Sequence, residues 1–262
     1  MKTLLVDLGN TRIKWARLGP RGPGRMRAAA HQGWTRADFV RALFGPAAAA
    51  RGRAATQLRV LAVSVAAEPV QRRFAAAVRA ATGSAPLFCR SERESCGVRN
   101  GYRDVWRLGA DRWVALLGAR QCAPRAAVCV VDIGTATTID LLTADGRHRG
   151  GAILPGPQLM VDALLRDTGG IRRRASGRAA ADTAFARDTA AALRAGAVLA
   201  TTGAIERALR EARRQSPGRR PKLLLTGGAA EMIAAQLGLP HELAPDLVLR
   251  GLAALARATP RA

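Results

Sequence analysis

Lysine is nearly missing from a strongly basic chain. It occurs only at Lys2, Lys14 and Lys222, so arginine carries almost all of the formal charge of +23 over 262 residues. Aromatic residues are scarce too, at 4%, which removes the interleaved stacking platform that single-strand nucleic-acid binders use. The arginines run along the whole chain, with local clusters at Arg172 to Arg174 and Arg210 to Arg220. Such dispersal fits a solvated surface better than a nucleic-acid face, and predicts nucleic-acid binding that is weak and non-specific. Cys89, Cys96, Cys122 and Cys129 form no C-x-x-C pair and the histidines lie far apart, which argues against a disulfide framework or a zinc site and for a reducing, cytoplasmic setting. No apolar run approaches the ~20 residues that span a bilayer, so no membrane partner is expected. Lys2 and TLLV look like the start of a secretory signal, but Asp7 interrupts the apolar core too early, and the stretch reads as a buried first strand.

Two familiar nucleotide motifs are also absent. Without G-x-x-x-x-G-K-[ST] there is no P-loop, and without a strand-to-helix G-x-G-x-x-G there is no support for a dinucleotide fold. What the chain has instead is a repeat. LLVDLGNTRIK (residues 4–14) and VVDIGTATTID (residues 130–140) share an apolar run ending in Asp, an aliphatic residue, Gly and small polar residues. Asp7, Gly9 and Thr11 in the first stand against Asp132, Gly134 and Thr137 in the second.

The surroundings repeat as well. Strands are predicted at 2–8, 12–18 and 25–31, a helix capped by Thr35, a buried strand in LRVLAVSV, and a helix over Glu68 to Ala81. Residues 90–108 show no period and read as a long loop. The second half offers strands at 127–132, 137–143 and 147–153, a helix after Pro157 and an Arg-rich loop at 171–180. One or two helices follow over Asp188 to Gln215, then the strand KLLLT and helices from about Ala229 and Pro245. The expectation is an α/β protein of two duplicated halves, residues 1–120 and 121–262.

An Asp at a strand end followed by Gly suits anion chemistry. Gly lets the backbone turn sharply and bring N–H groups close to a phosphate, and a carboxylate beside such donors offers the hard oxygen that Mg²⁺ prefers. Asn10, Thr11, Thr135 and Thr137 add side chains able to donate to phosphate oxygens, and two such hairpins facing each other would grip one polyphosphate. GADR (109–112) opens a helix after the long loop. Asp111 there is either a carboxylate favoured by the helix dipole or a general base aimed at a hydroxyl, with Arg112 placed for an anionic group. GGAILPG (150–156) suggests close backbone packing against a ligand or a partner, and TGG (226–228), between strand and helix, would let an adenine or ribose approach the backbone and the helix N-terminus.

DLGNT, GADR, DIGTATTID, GGAILPG, TGG and the closing DLVLRGL occur in the order seen in type III pantothenate kinases, and over essentially the whole chain the sequence resembles that family. The resemblance implies the sugar-kinase/Hsp70/actin superfamily fold, with two RNase-H-like halves around a central cleft. It implies ATP-dependent phosphorylation of pantothenate, the first step toward coenzyme A, with Mg²⁺ and a monovalent cation (K⁺ or NH₄⁺), in a homodimer. By resemblance, the run Asp7, Leu8, Gly9, Asn10, Thr11, Arg12, Ile13 and Lys14 forms the ATP phosphate loop, with Asp7 close to Mg²⁺. Thr135 contacts ATP, and Asp132 helps hold the monovalent cation. Tyr102, Gly109, Ala110, Asp111 and Arg112 shape the pantothenate pocket, with Asp111 as base. Thr189 reaches pantothenate across the dimer interface. Another kinase or phosphatase of the superfamily would share the hairpins but not the Tyr102/GADR pocket. A regulatory, nucleic-acid-associated role is the rival kept alive by the charge.

Overall fold

The apolar run after Lys2 becomes the centre of a sheet. In the computed structural model, which describes residues 2–46, 58–175, 184–216 and 220–258, strand β1 (Lys2–Leu8) buries both faces, as a strand flanked on each side must. It runs antiparallel to β2 (Arg12–Gly19), which also pairs with β3 (Gly22–Pro23) and β4 (Arg27–Ala30). Helix α1 (Arg36–Phe44) starts at the predicted cap: the Thr35 hydroxyl oxygen accepts the Asp38 N–H while Asp38 accepts the Thr35 N–H. On the other side of β1 lies parallel β5 (Leu58–Ser64), followed by helix α2 (Glu68–Thr82) and the short strand β6 (Leu87–Phe88). Phe74, Ala77, Val78 and Ala81 recur at helical spacing on α2, and this face packs Phe74 edge-on against Phe39 at 5.9 Å.

The stretch predicted as a featureless loop carries order. Strands β7 (Glu94–Ser95) and β8 (Val98–Arg99) make a small hairpin, and a 3₁₀ turn at Val105–Arg107 precedes helix α3 (Ala110–Cys122).

The second half repeats the plan. Strands β9 (Val128–Ile133), β10 (Ala136–Leu142) and β11 (His148–Pro155) form an antiparallel run, followed by helix α4 (Pro157–Asp167). The expected Arg-rich loop begins as a short helix, α5 (Gly169–Arg174); its continuation from residue 176 lies outside the described residues. Helix α6 (Thr189–Arg214) is a single helix with Asp188 as its cap. Then come β12 (Lys222–Thr226), parallel to β9, the short helix α7 (Ala230–Ala234) and β13 (Glu242–Leu243). The sheet order β11-β10-β9-β12-β13 matches β4-β2-β1-β5-β6 of the first half, so the duplication seen in the sequence is a duplication of topology.

Contacts divide the chain into Met1–Pro124 with Asp246–Ala262, and Arg125–Pro245. The last helix, α8 (Leu247–Ala258), was expected in the second half but returns to the first. Its packing on α3 explains why. A Cβ at Gly118 would collide with the Leu247 carbonyl, and one at Gly251 with the Val114 carbonyl, so the two backbones meet where both helices carry glycine. α8 is apolar almost all round, as a fully packed helix requires.

Candidate active site

Asp7 stands at the end of β1, half-buried and opposite Lys14 in the hairpin register. The strand stops because Gly9 donates its N–H to the Arg12 carbonyl at 3.0 Å, closing a three-residue turn, Gly9–Thr11. Asn10, Thr11 and Arg12 are exposed at this turn, while Leu8 and Ile13 are buried in the core. Of the phosphate-loop residues expected from sequence, Leu8 and Ile13 therefore contribute backbone and anchoring rather than side chains. His31, which the sequence reading passed over, reaches the same turn: its Nε2 lies 2.7 Å from the Gly9 carbonyl.

The corresponding Asp132 ends β9, half-buried, opposite Thr138. Here the turn is one residue shorter, with Gly134 donating to the Ala136 carbonyl at 3.0 Å. Thr135 is exposed at the turn, but Thr137 is fully buried inside β10, so it is not a phosphate donor as expected. GGAILPG and TGG do bring backbone close, onto this turn itself. A Cβ at Gly156 would collide with the Gly134 carbonyl, and Gly156 donates its N–H to the Thr135 carbonyl at 2.9 Å. Gly227 adopts φ +100°, and a Cβ there would lie 2.5 Å from Asp132 Oδ1. Two glycines from distant segments thus pack around one carboxylate-bearing turn.

The loop before GADR is tied down from inside. The Ser91 hydroxyl donates to the Leu108 carbonyl at 2.6 Å. Asn100 donates through Nδ2 to the carbonyls of Glu92 and Val105, at 3.2 and 3.3 Å, and accepts the Tyr102 N–H at 2.9 Å. Neither Ser91 nor Asn100 was singled out from sequence, since short polar residues in an aperiodic stretch carry no signal of which carbonyl they reach. Gly109 begins α3, and Asp111 Oδ1 accepts the Arg112 N–H at 2.8 Å. Arg112 is 6% exposed, and its Nη1 donates to the Tyr102 hydroxyl oxygen at 2.8 Å. Arg112 thus links Tyr102 of the loop to the first turn of α3.

Thr189 is the first residue of α6 and lines an open apolar recess of about 550 Å³ with Met160, Leu164, Ile171 and Leu193. Among the described residues, no three His, Cys, Asp or Glu side chains are grouped to hold a metal ion. Mg²⁺ does not need such a cage: it is commonly bound by one or two carboxylates together with substrate phosphates and water, and a strand-end carboxylate at an exposed turn fits that role. No helix of the described residues is long and apolar enough to cross a membrane.

A sheet order given twice, each copy with an Asp at the end of its central strand, is the fold of the sugar-kinase/Hsp70/actin class. Solved structures agree on the fold: a proposed 2-dehydro-3-deoxygalactonokinase from Sinorhizobium meliloti matches with TM-score 0.59 and 19% identity over 98% of both chains. A proposed Baf family transcriptional activator from Campylobacter jejuni matches with TM-score 0.56 and 20% identity over 95% of this chain and 94% of its own. Within that class, the type III pantothenate kinase model matches residues 3–211, and a type III pantothenate kinase of Aromatoleum aromaticum is 44% identical over 97% of each chain. The chain belongs to the type III pantothenate kinase family.

Proposed function

We infer that this chain catalyses the ATP-dependent phosphorylation of pantothenate to 4'-phosphopantothenate, the first step of coenzyme A biosynthesis. What supports the reading is that a chain of this family carries both the Asp7 turn and the Tyr102–Arg112–Asp111 assembly. Phosphoryl transfer asks a protein chiefly for positioning and charge neutralisation. The turn Gly9–Thr11 supplies backbone and side-chain donors to the phosphates, and Asp7 supplies a ligand for Mg²⁺, which when bound neutralises phosphate charge. Thr135 adds a contact to ATP. Asp132, beside close-packed backbone, is the carboxylate for a monovalent cation.

Arg112, hydrogen-bonded to Tyr102, is the guanidinium suited to the anionic group of pantothenate. Asp111, whose Oδ1 accepts the Arg112 N–H, acts as base. It accepts the proton of the substrate primary hydroxyl as that oxygen bonds to the γ-phosphorus, and the bond from phosphorus to the ADP oxygen breaks.

Thr189 completes the pantothenate site of a second copy in a homodimer. Along α6 the exposed residues Ala192, Gly196, Leu199, Ala200 and Gly203 recur at helical spacing, a stripe small enough for a partner helix to approach closely. Leu159, Leu164 and Phe185 extend the exposed apolar surface. The setting is cytoplasmic, where free cysteines stay reduced. Nucleic acid binds weakly, through charge alone, and is lost as salt rises.

A coupled assay of ADP formation tests the reading. Turnover that requires pantothenate, with Mg²⁺ and K⁺ present, is expected. Equal turnover without pantothenate, or turnover with a sugar alone, would overturn it.

A further inference from the structure

A short exposed turn has many backbone orientations open to it, and its N–H groups serve an anion in only some of them. Here one residue from outside the hairpin restrains the turn. His31 follows β4 and is 3% exposed. Its backbone N–H donates to the Thr11 carbonyl at 3.3 Å, and its Nε2 lies 2.7 Å from the Gly9 carbonyl. A carbonyl oxygen accepts only, so Nε2 carries the proton and donates. The ring is held by Phe39 at 6.2 Å and by Trp34 at 6.4 Å, both attached to the capped helix α1. Nδ1 is buried and makes no hydrogen bond among the described residues, so the polar contact of the side chain is made to this one carbonyl.

We propose that His31 is a positioning residue for the ATP phosphates, acting through the backbone of the turn Gly9–Thr11. The chain has no cis peptide bond among the described residues. In a trans peptide the C=O and N–H point in opposite directions. Fixing the Gly9 carbonyl inward on a buried imidazole therefore turns the Asn10 N–H outward, to the exposed side of the turn where Asn10 and Thr11 stand. The Thr11 carbonyl, held by the His31 N–H, fixes the other end of the turn in the same way. The turn is thus set before ATP arrives and pays little ordering cost on binding. This rests on the reading of that turn as the phosphate site.

The test compares two variants with the parent in Mg·ATP affinity, melting temperature and the KM for each substrate. His31→Phe keeps a ring against Trp34 and Phe39 and removes the donor; His31→Gln keeps a donor. His31→Phe should stay folded, lose Mg·ATP affinity about tenfold and leave the pantothenate KM unchanged, while His31→Gln recovers most of the loss. Parent-like Mg·ATP affinity in folded His31→Phe would overturn the proposal. So would a parallel loss for both substrates with a lowered melting temperature. If His31→Phe fails to fold, His31→Gln decides: retained affinity supports the proposal and a tenfold loss overturns it. A parent chain that binds no Mg·ATP would remove the phosphate reading of the turn, and this inference with it.

Discussion

The Tyr102 hydroxyl oxygen accepts a hydrogen bond from Nη1 of Arg112 at 2.8 Å, and the guanidinium lies 5.5 Å from the centroid of the Tyr102 ring. A buried cation on the first turn of α3 is thereby linked to a loop residue that Asn100 holds by its backbone. Tyr102→Phe keeps the ring and removes the hydroxyl. It should raise the pantothenate KM about three- to tenfold, the range expected for losing one ordinary hydrogen bond, while leaving the ATP KM unchanged. Steady-state kinetics with each substrate varied in turn would check this, and an unchanged pantothenate KM would count against the assembly as the pantothenate site.

Asp111 uses Oδ1 to accept the first-turn N–H of Arg112, a contact open to any carboxylate at a helix start and no sign of catalysis by itself. The charge decides between the two roles. Asp111→Asn preserves an oxygen for that N–H and removes the base, so kcat should fall by ~10²–10⁴ with the melting temperature and Mg·ATP affinity nearly unchanged. Asp7→Asn should weaken Mg·ATP binding as well. Near-native turnover in Asp111→Asn would leave Asp111 as a helix-terminal residue only, and Asp132 would become the next candidate base.

Gly227 packs directly against the end of β9 and the Asp132 carboxylate. With φ at +100° and Asp132 Oδ1 only 2.5 Å from where a Cβ would stand, Gly227→Ala strains the backbone and displaces Asp132 together. A destabilisation of ~2–5 kcal/mol is expected. Chemical denaturation would measure it, and a parent-like midpoint would show that the turn yields easily.

Burial pushes the thiols of Cys89 and Cys129 up to about 12, with Glu92 near the first and Asp140 near the second adding to the effect. Thiolate is the reactive form, so at pH 8 both should resist iodoacetamide in the folded protein and react once it is unfolded. Peptide mapping by mass after timed alkylation checks this; rapid labelling of Cys129 under native conditions would contradict the buried β9.

Much of this was legible in the chain, for a physical reason. Asp7, Gly9 and the apolar run before them are local signals, and a strand, a stop and a turn are encoded within a dozen residues. The duplicate around Asp132 made the same signal readable twice. What escaped was relation at a distance. His31 acts on Gly9 from 22 residues away, and an isolated histidine shows no sign of which carbonyl it will meet. The Gly118–Gly251 contact, which draws α8 back to the first unit, depends on two ordinary-looking glycines in separate helices. Thr137 falls inside β10 because the second turn is one residue shorter: it stands opposite Ile133 as Ile13 stands opposite Leu8, and both positions are buried.

The central claim is transfer of a phosphoryl group to pantothenate, and the most direct measurement follows that group. ATP labelled in the γ-phosphate is incubated with the parent chain, Mg²⁺, K⁺ and pantothenate, and the label is located after separating the products. The account predicts label in phosphorylated pantothenate, in amounts matching the ADP formed, and its disappearance in Asp7→Asn. Label found as inorganic phosphate, or in another acceptor while pantothenate stays unlabelled, would contradict it.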